Sequence, residues 1–219
     1  VTPYYQDDLV TIYHGDCREV GEGIGLAVSD IGMLLTDPPY GIDYQPARDG
    51  RVSGPARWER GSRVTGDREP FDPTHLLDWR VPTILFGANH YADRLPPSGG
   101  WLVWDKTPRG IREGFIYSHA ELAWTNVLGH VEKIALEWDG ASRQGEPFLH
   151  PTQKPVGLMR ILIERYSKPG VVLDPYAGSG TTLVAAKQTG RRAIGIEIEE
   201  RYCEIAAQRC SQEVLGLVG

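Results

Sequence analysis

The stretch Val171-Val-Leu-Asp-Pro-Tyr-Ala-Gly-Ser-Gly-Thr-Thr182 decides the fold. Its β-branched opening reads as a buried strand that Asp174 and the following proline bring to an end. A glycine turn through Ala177, Gly178, Ser179 and Gly180 then leads into a helix from Thr181 and Thr182 through Leu183-Val-Ala-Ala-Lys-Gln188. Glycines at 178 and 180 let the backbone come close to a ligand, and the helix start presents free N–H groups to an anion. Two better-known glycine loops do not fit. A P-loop needs Gly-Lys-Ser/Thr, and no lysine follows Gly180; the dinucleotide fingerprint needs a third small residue, where Leu183 stands. Neither a nucleoside triphosphate nor NAD is favoured.

Working outward, a second strand, Arg192-Ala-Ile-Gly-Ile-Glu197, brings a carboxylate 19 residues after Gly178. At that spacing an acid ending the second strand of a nucleotide-binding unit takes ribose hydroxyls. Glu197 also suits the start of the next helix, where Glu199 and Glu200 follow. Far upstream, the apolar run Ile31-Gly-Met-Leu-Leu-Thr36 ends at Asp37-Pro38-Pro39-Tyr40. The prolines stop the strand, so these residues enter a loop at the carboxyl edge of the sheet, where open α/β sheets bind ligands. A carboxylate, a stiffened carbonyl and an aromatic face together suit a flat ring with an exocyclic amino group. The plain alternative is a strand ending in a proline turn.

Strands are predicted near 8–14, 31–36, 82–87, 101–105, 120–125, 131–138, 171–174 and 192–197, and helices near 73–79, 88–95, 155–167, 180–189 and 199–213. The helix from Pro155 is the clearest, with Val156, Met159, Leu162, Ile163 and Tyr166 on one face. This alternation implies an α/β protein, a largely parallel sheet covered on both faces.

Asp37 to Tyr40, His150-Pro-Thr-Gln-Lys-Pro155, Asp174 to Thr182 and Gly195-Ile-Glu197 together resemble the S-adenosylmethionine-dependent DNA amino-methyltransferases. The catalytic motif precedes the cofactor motif, which is similar to the β-class arrangement, and the resemblance covers nearly the whole chain. It implies a Rossmann-like methyltransferase fold over 1–219: a mostly parallel seven-stranded sheet with one reversed strand, in circularly permuted order with the termini close together. It implies that Asp37, Pro38, Pro39 and Tyr40 act on the base, and that Asp37, Asp174, Ala177 to Thr182 and Glu197 line the S-adenosylmethionine site. It adds Asp16 and Cys17 at the adenine end, and Thr152, Gln153 and Lys154 at the methionine end. Asp16 also reads as a plain N-cap for a short helix. The implied partner is DNA, in a bacterial or phage-encoded cytoplasmic protein of restriction-modification type. A homodimer is a family-level expectation without an interface signature in the sequence.

Composition bounds the rest. The 219 residues hold three cysteines without CxxC spacing, so no metal is expected, and no Pro-Cys pair offers a covalent route to carbon 5 of cytosine. No apolar run approaches a membrane span and no signal peptide opens the chain. Cys203 and Cys210 are expected to face the core. A net charge of −6 argues against a DNA binder, but charge is local. Between Gln45 and Arg68 stand Arg48, Arg51, Arg57, Arg60, Arg63 and Arg68 against Asp49, Glu59 and Asp67. This mobile arginine–glycine loop, about 41–69, is either a solvated segment or a phosphate clamp beside the active site. Lys106, Arg109 and Arg112 are a second set of candidate DNA contacts, within a short target-recognition region at about 106–150. An aspartate at position 37 is typical of adenine-N6 enzymes, where cytosine-N4 enzymes carry serine. The alternatives are cytosine N4 and a catalytically silent subunit; a protein-glutamine methyltransferase would carry the motifs in the opposite order.

Overall fold

Ile31–Thr36 is buried at all six positions, as a strand covered on both faces must be. The computed structural model describes residues 1–44, 64–97, 100–110, 118–138, 146, 149–150 and 152–212. The strands are β1 (Tyr5–Gln6), β2 (Val10–His14), β3 (Ile31–Thr36), β4 (Thr83–Phe86), β5 (Gly100–Asp105), β6 (Ala120–Thr125), β7 (Val131–Ala135), β8 (Val171–Asp174) and β9 (Ala193–Glu197). They form one sheet in the order β1-β2-β9-β8-β3-β4-β6-β5-β7. The seven inner strands are parallel apart from β6, which runs against both of its neighbours. Among the described residues the sheet has nine strands where seven are expected, because β7 adds parallel to β5 and the two-residue β1 adds antiparallel to β2.

The helices are α1 (Cys17–Gly23), α2 (Thr74–Leu77), α3 (Val156–Tyr166), α4 (Thr181–Gln188) and α5 (Glu200–Gln212). Helices α3, α4 and α5 cover one face, with Met33, Leu35, Phe86, Leu162, Leu183 and Ala206 in a common core. Cys203 and Cys210 lie in that core, as their spacing predicts. On the other face Leu34, Leu85 and Leu173 pack against Phe71, Leu76 and Tyr91. The helix predicted over 88–95 is instead two 3-10 turns, Ala88–His90 and Ala92–Arg94. Tyr91 breaks the run with φ −136°, because its ring is buried and its hydroxyl donates to the Phe86 carbonyl at 2.6 Å.

Buried Lys187 at the end of α4 donates to Asp7 Oδ2 and, at 2.8 Å, to the carbonyl of Cys210, joining the first turn of the chain to its last helix. Burial opposes ionisation of Asp7, but hydrogen bonds from Lys187, Tyr5 and the Leu9 and Val10 amides outweigh it and bring its pKa to about 2. A depressed carboxylate pKa stabilises the fold above the ordinary range and loses that contribution as pH falls toward the folded-state value. Screened by solvent at this partly exposed carboxylate, the interval is worth about 1 kcal/mol. Urea melts of Asp7→Asn should therefore show a loss of about 1 kcal/mol near neutral pH, with the gap to the parent narrowing as pH falls through about 4 toward 3.

Candidate active site

The site forms where the chain order of the sheet reverses. From β8 the chain passes through α4 to β9 on one side, while β3 lies on the other side of β8 and leads away to β4. The crevice at the carboxyl ends of β8 and β3 is thus the switch point where such sheets bind ligands. Asp174 and Asp37 leave these adjacent ends, and Thr36 Oγ1 bridges the strands with a 2.6 Å bond to Asp174 Oδ1. Burial pushes the Asp174 carboxyl up to about 6, against the hydrogen bonds from Thr182, Thr36 and the Tyr176 amide. A cavity between the strand ends is lined by Asp37, His150, Thr152, Asp174, Gly178 and Thr181, with Gln153, Lys154, Ala177, Ser179 and Thr182 around it.

The glycine turn serves two different ends. Gly178 has φ +51°, and a Cβ there would meet nothing nearer than the His150 ring at 3.9 Å, so its open side faces the cavity. Gly180 is a packing residue: a Cβ would lie 2.7 Å from Ala206 of α5. The space beside Gly180 is therefore taken by α5, and only its backbone is left to approach a ligand. Arg209 of α5 holds the turn from behind, donating to the Ser179 carbonyl at 2.8 Å and to Thr181 Oγ1 at 3.2 Å. Glu197 accepts from the Gly178 and Glu199 amides, both at 2.8 Å, which fixes its carboxylate while leaving each oxygen a further lone pair. Burial raises its pKa.

Asp16 is the N-cap of α1, accepting from the Arg18 amide at 2.9 Å, and its carboxylate also pairs with the Arg18 guanidinium. Strand pairing sets it beside the end of β9, since the Gly15 amide bonds the Glu197 carbonyl at 2.9 Å. The Cys17 thiol faces His75, which bonds the Tyr176 hydroxyl at 2.9 Å. Thr152 turns its amide and hydroxyl to His150 Nδ1 at 3.3 and 3.2 Å. Burial, with the charges of Lys154 and Arg201, lowers the His150 pKa to about 3, so the ring is neutral. The Gln153 carboxamide reaches back to the Leu149 amide at 3.0 Å and to Glu146 at 3.3 Å. Glu146 in turn accepts from the Val156 amide at 2.8 Å at the start of α3.

On the catalytic side, Tyr40 donates its hydroxyl to Asp37 Oδ1, and its ring stacks on His90 with centroids 5.1 Å apart and planes 13° from parallel. Lys154 places Nζ 2.6 Å from Asp37 Oδ2 and 3.2 Å from Glu121 Oε2, and Lys106 also pairs with Glu121. Burial raises the Asp37 carboxyl above the usual range, against the pull of Lys154. Two residues that no motif flags hold this arrangement. Asp67, buried at 4 % exposure, accepts from the amides of Tyr40 and Gly41 at 2.8 Å, Ile42 at 3.4 Å and Tyr44 at 2.7 Å. Gly87, at φ +66°, lies under Tyr40: a Cβ would fall 1.9 Å from the ring. Displacing a reacting group by about 1 Å is enough for a loss of about 10²-fold. A Gly87→Ala enzyme should show that loss in kcat with little change in cofactor affinity, measured by methylation kinetics beside calorimetric titration.

The candidate DNA contacts divide. Lys106 lies over the Trp104 ring and pairs with Glu121, its side chain 12 % exposed. Arg109 is exposed and pairs with Glu137 at 3.2 Å. Arg48, Arg51, Arg57, Arg60, Arg63 and Arg112 lie outside the described residues, as does most of 139–149. Among the described residues no cluster of three metal-ligating side chains occurs, and no helix is long and apolar enough to cross a membrane.

A glycine turn and an acid at adjacent parallel strand ends, facing a proline-stopped Asp-Pro-Pro-Tyr loop across one cavity, define a Rossmann-like group-transfer enzyme. Comparison with known proteins agrees. The DNA methylase family of N6/N4 enzymes matches residues 96–208. The chain is 56% identical over 216 residues to the YubD protein of Escherichia coli (strain K12), covering 89% of this chain and 87% of that one. It is 42% identical over 272 residues to the type II methyltransferase M.ScaI of Streptomyces caespitosus, covering 98% and 86%. Its fold is similar to that of the M1.HpyAVI–SAM complex (TM-score 0.53, 21% identity, 92% of this chain and 100% of that one). It is also similar to the PvuII cytosine-N4-specific DNA methyltransferase (TM-score 0.59, 14% identity, 94% and 88%). The chain belongs to the N6/N4 DNA methylase family, whose cofactor is S-adenosylmethionine.

Proposed function

We propose that this chain methylates the N6 amino group of an adenine turned out of the DNA helix. The observation that carries the reading is the meeting of Asp37, at the end of β3, with the glycine turn at the end of β8 around one cavity. The residues fit the cofactor. Gly178 leaves its side of the turn open, and Glu197 keeps lone pairs for ribose hydroxyls. Asp16 and Cys17 stand on the adenine side, and Thr152 on the methionine side. Bound there, S-adenosylmethionine supplies a methyl group already activated on a sulfonium.

The protein's part is acceptance and alignment. The Asp37 carboxylate and the Pro38 carbonyl accept the two amino hydrogens, which draws the nitrogen lone pair out of the ring and aims it. As the base enters, its amino group takes the place of the Tyr40 hydroxyl on Asp37 Oδ1, and the Tyr40 ring stacks on the base. Turning the base out costs a few kcal/mol, which backbone contacts must offset. The arginine stretch 45–63 is the candidate for those contacts. Asp67 ties its two ends together beside the site, bonding the Tyr44 amide while its own carbonyl accepts from the Asp43 amide at 2.7 Å. Arg109 and Arg112 are the second set. Both target amines need the same acceptors, and the preference for adenine rests on aspartate, not serine, at position 37.

The test is to incubate the protein with S-adenosylmethionine and unmethylated duplex DNA, digest to nucleosides and identify the product by mass spectrometry. N6-methyladenine is expected. N4-methylcytosine would keep the site chemistry and overturn the base. Cofactor binding without either product would favour a silent subunit.

A further inference from the structure

The acceptor role of Asp37 leaves the ammonium that touches it without a task. Lys154 is buried, its side chain only 5 % exposed, with Nζ 2.6 Å from Asp37 Oδ2. The same Nζ lies 3.1 Å from the Tyr40 hydroxyl, 3.2 Å from Glu121 Oε2 and 5.3 Å from the Phe86 ring centroid. Glu121, on β6, is held in turn by Lys106, just after β5. Two ammonium groups and two carboxylates from four separate segments therefore alternate in one neutral array around the buried Lys154, its other members partly exposed. Moving Lys154 out to grip the methionine end of the cofactor would leave the Asp37 and Glu121 carboxylates beside each other without their shared cation, which is costly.

We propose that Lys154 is a positioning residue for methyl transfer: its salt bridge keeps the Asp37 carboxylate charged and aimed at the target amine, and Glu121 with Lys106 keeps Lys154 in place. The inference rests on the reading of Asp37 as the amino-group acceptor. A protonated carboxyl turns one oxygen into a donor and leaves a weaker, uncharged acceptor for the amine. Burial drives Asp37 toward that neutral form, and an adjacent cation opposes it. Pinning Oδ2 also leaves Oδ1, now bonded to the Tyr40 hydroxyl, as the oxygen that exchanges partners when the base arrives. The charged and titratable groups around the pair are Tyr40 with His90 stacked on it, Tyr91, Glu121, Lys106, His150 and Asp174. All of these except the residue replaced are common to the enzymes compared below, so a difference between their pH profiles isolates the array.

The experiment is kcat and the KM for S-adenosylmethionine across pH for the parent, Lys154→Met, Lys154→Arg and Glu121→Gln. Lys154→Met should move the acid limb of kcat upward by about one pH unit or more, with the KM changed by less than about two-fold. Lys154→Arg keeps the charge and should bring the limb back toward the parent. Glu121→Gln removes a negative neighbour of Asp37, so its limb should move the other way; this arm stands even if Lys154→Met does not fold. A uniform fall in kcat with the limbs unmoved would make the lysine merely structural and overturn the inference. So would a KM raised about ten-fold with unmoved limbs, which would assign Lys154 to the cofactor. A parent that methylates no DNA overturns the reading of function and the inference with it, whereas an active parent with unmoved limbs overturns the inference alone.

Discussion

Replacing Asp37 by alanine should reduce methyl transfer by about 10³-fold or more while S-adenosylmethionine affinity stays within a few-fold of the parent. On the proposed reading the carboxylate is the acceptor that aligns the amine, and the described carboxylates beside it are already engaged. Glu121 lies behind Lys154, and Asp174 is committed to Thr36, Thr182 and the Tyr176 amide. The proposed cofactor side is held independently by Gly178, Glu197 and Arg209, through bonds that do not involve Asp37. The substitution also leaves Lys154 with one carboxylate instead of two, so a stability loss of about 2 kcal/mol should accompany it. Asp37→Asn, close in shape, restores a carbonyl acceptor without the charge and should recover part of the rate. Single-turnover methylation and calorimetric cofactor titration on the same preparations separate the outcomes. Equal loss of rate and of cofactor binding would make Asp37 a folding or cofactor residue and sink the catalytic assignment.

Asp67→Ala should be nearly as damaging, although Asp67 touches neither cavity nor base. Its carboxylate receives four loop amides, those of Tyr40, Gly41, Ile42 and Tyr44, and so sets the path of the chain as it leaves Asp37-Pro38-Pro39. Each buried amide left without an acceptor costs about 1–3 kcal/mol, and the loop will rearrange to recover part of this. A net loss of about 3 kcal/mol and a fall in kcat of about 10²-fold are expected from the release of Tyr40. Chemical denaturation and methylation kinetics check the two numbers. Asp67→Asn offers one carbonyl in place of two acceptor oxygens, so it should fall between parent and alanine. An Asp67→Ala enzyme with full activity would show that the base meets a Tyr40 arranged by other means.

The strands and the site motifs were legible because their signals are local. Apolar runs that end at an Asp-Pro pair placed β3 and β8 at their observed limits, and Asp37 and Gly178 lie where strand ends had to put them. Signals failed where a long-range contact governs. A helix over 88–95 is reasonable by composition, but burial of Tyr91 divides it into two turns. No local signal shows that Lys106 turns to Glu121 and the Trp104 ring, or that Ala206 closes on Gly180.

By itself, the order of residues determined the class of fold, the strand ends that carry the chemistry and the family to which the chain belongs. The first two follow from hydrophobic periodicity and from turn residues, whose effect reaches only a few positions along the chain, and the family follows from the resemblance of four short motifs. Tertiary structure alone decided which charges meet. Lys154 and Asp37 are separated by 117 residues, and Asp67 serves amides more than 20 residues away. Such pairings depend on which strand ends adjoin in the folded sheet, and no pattern along the chain encodes the distance between two side chains brought together across it.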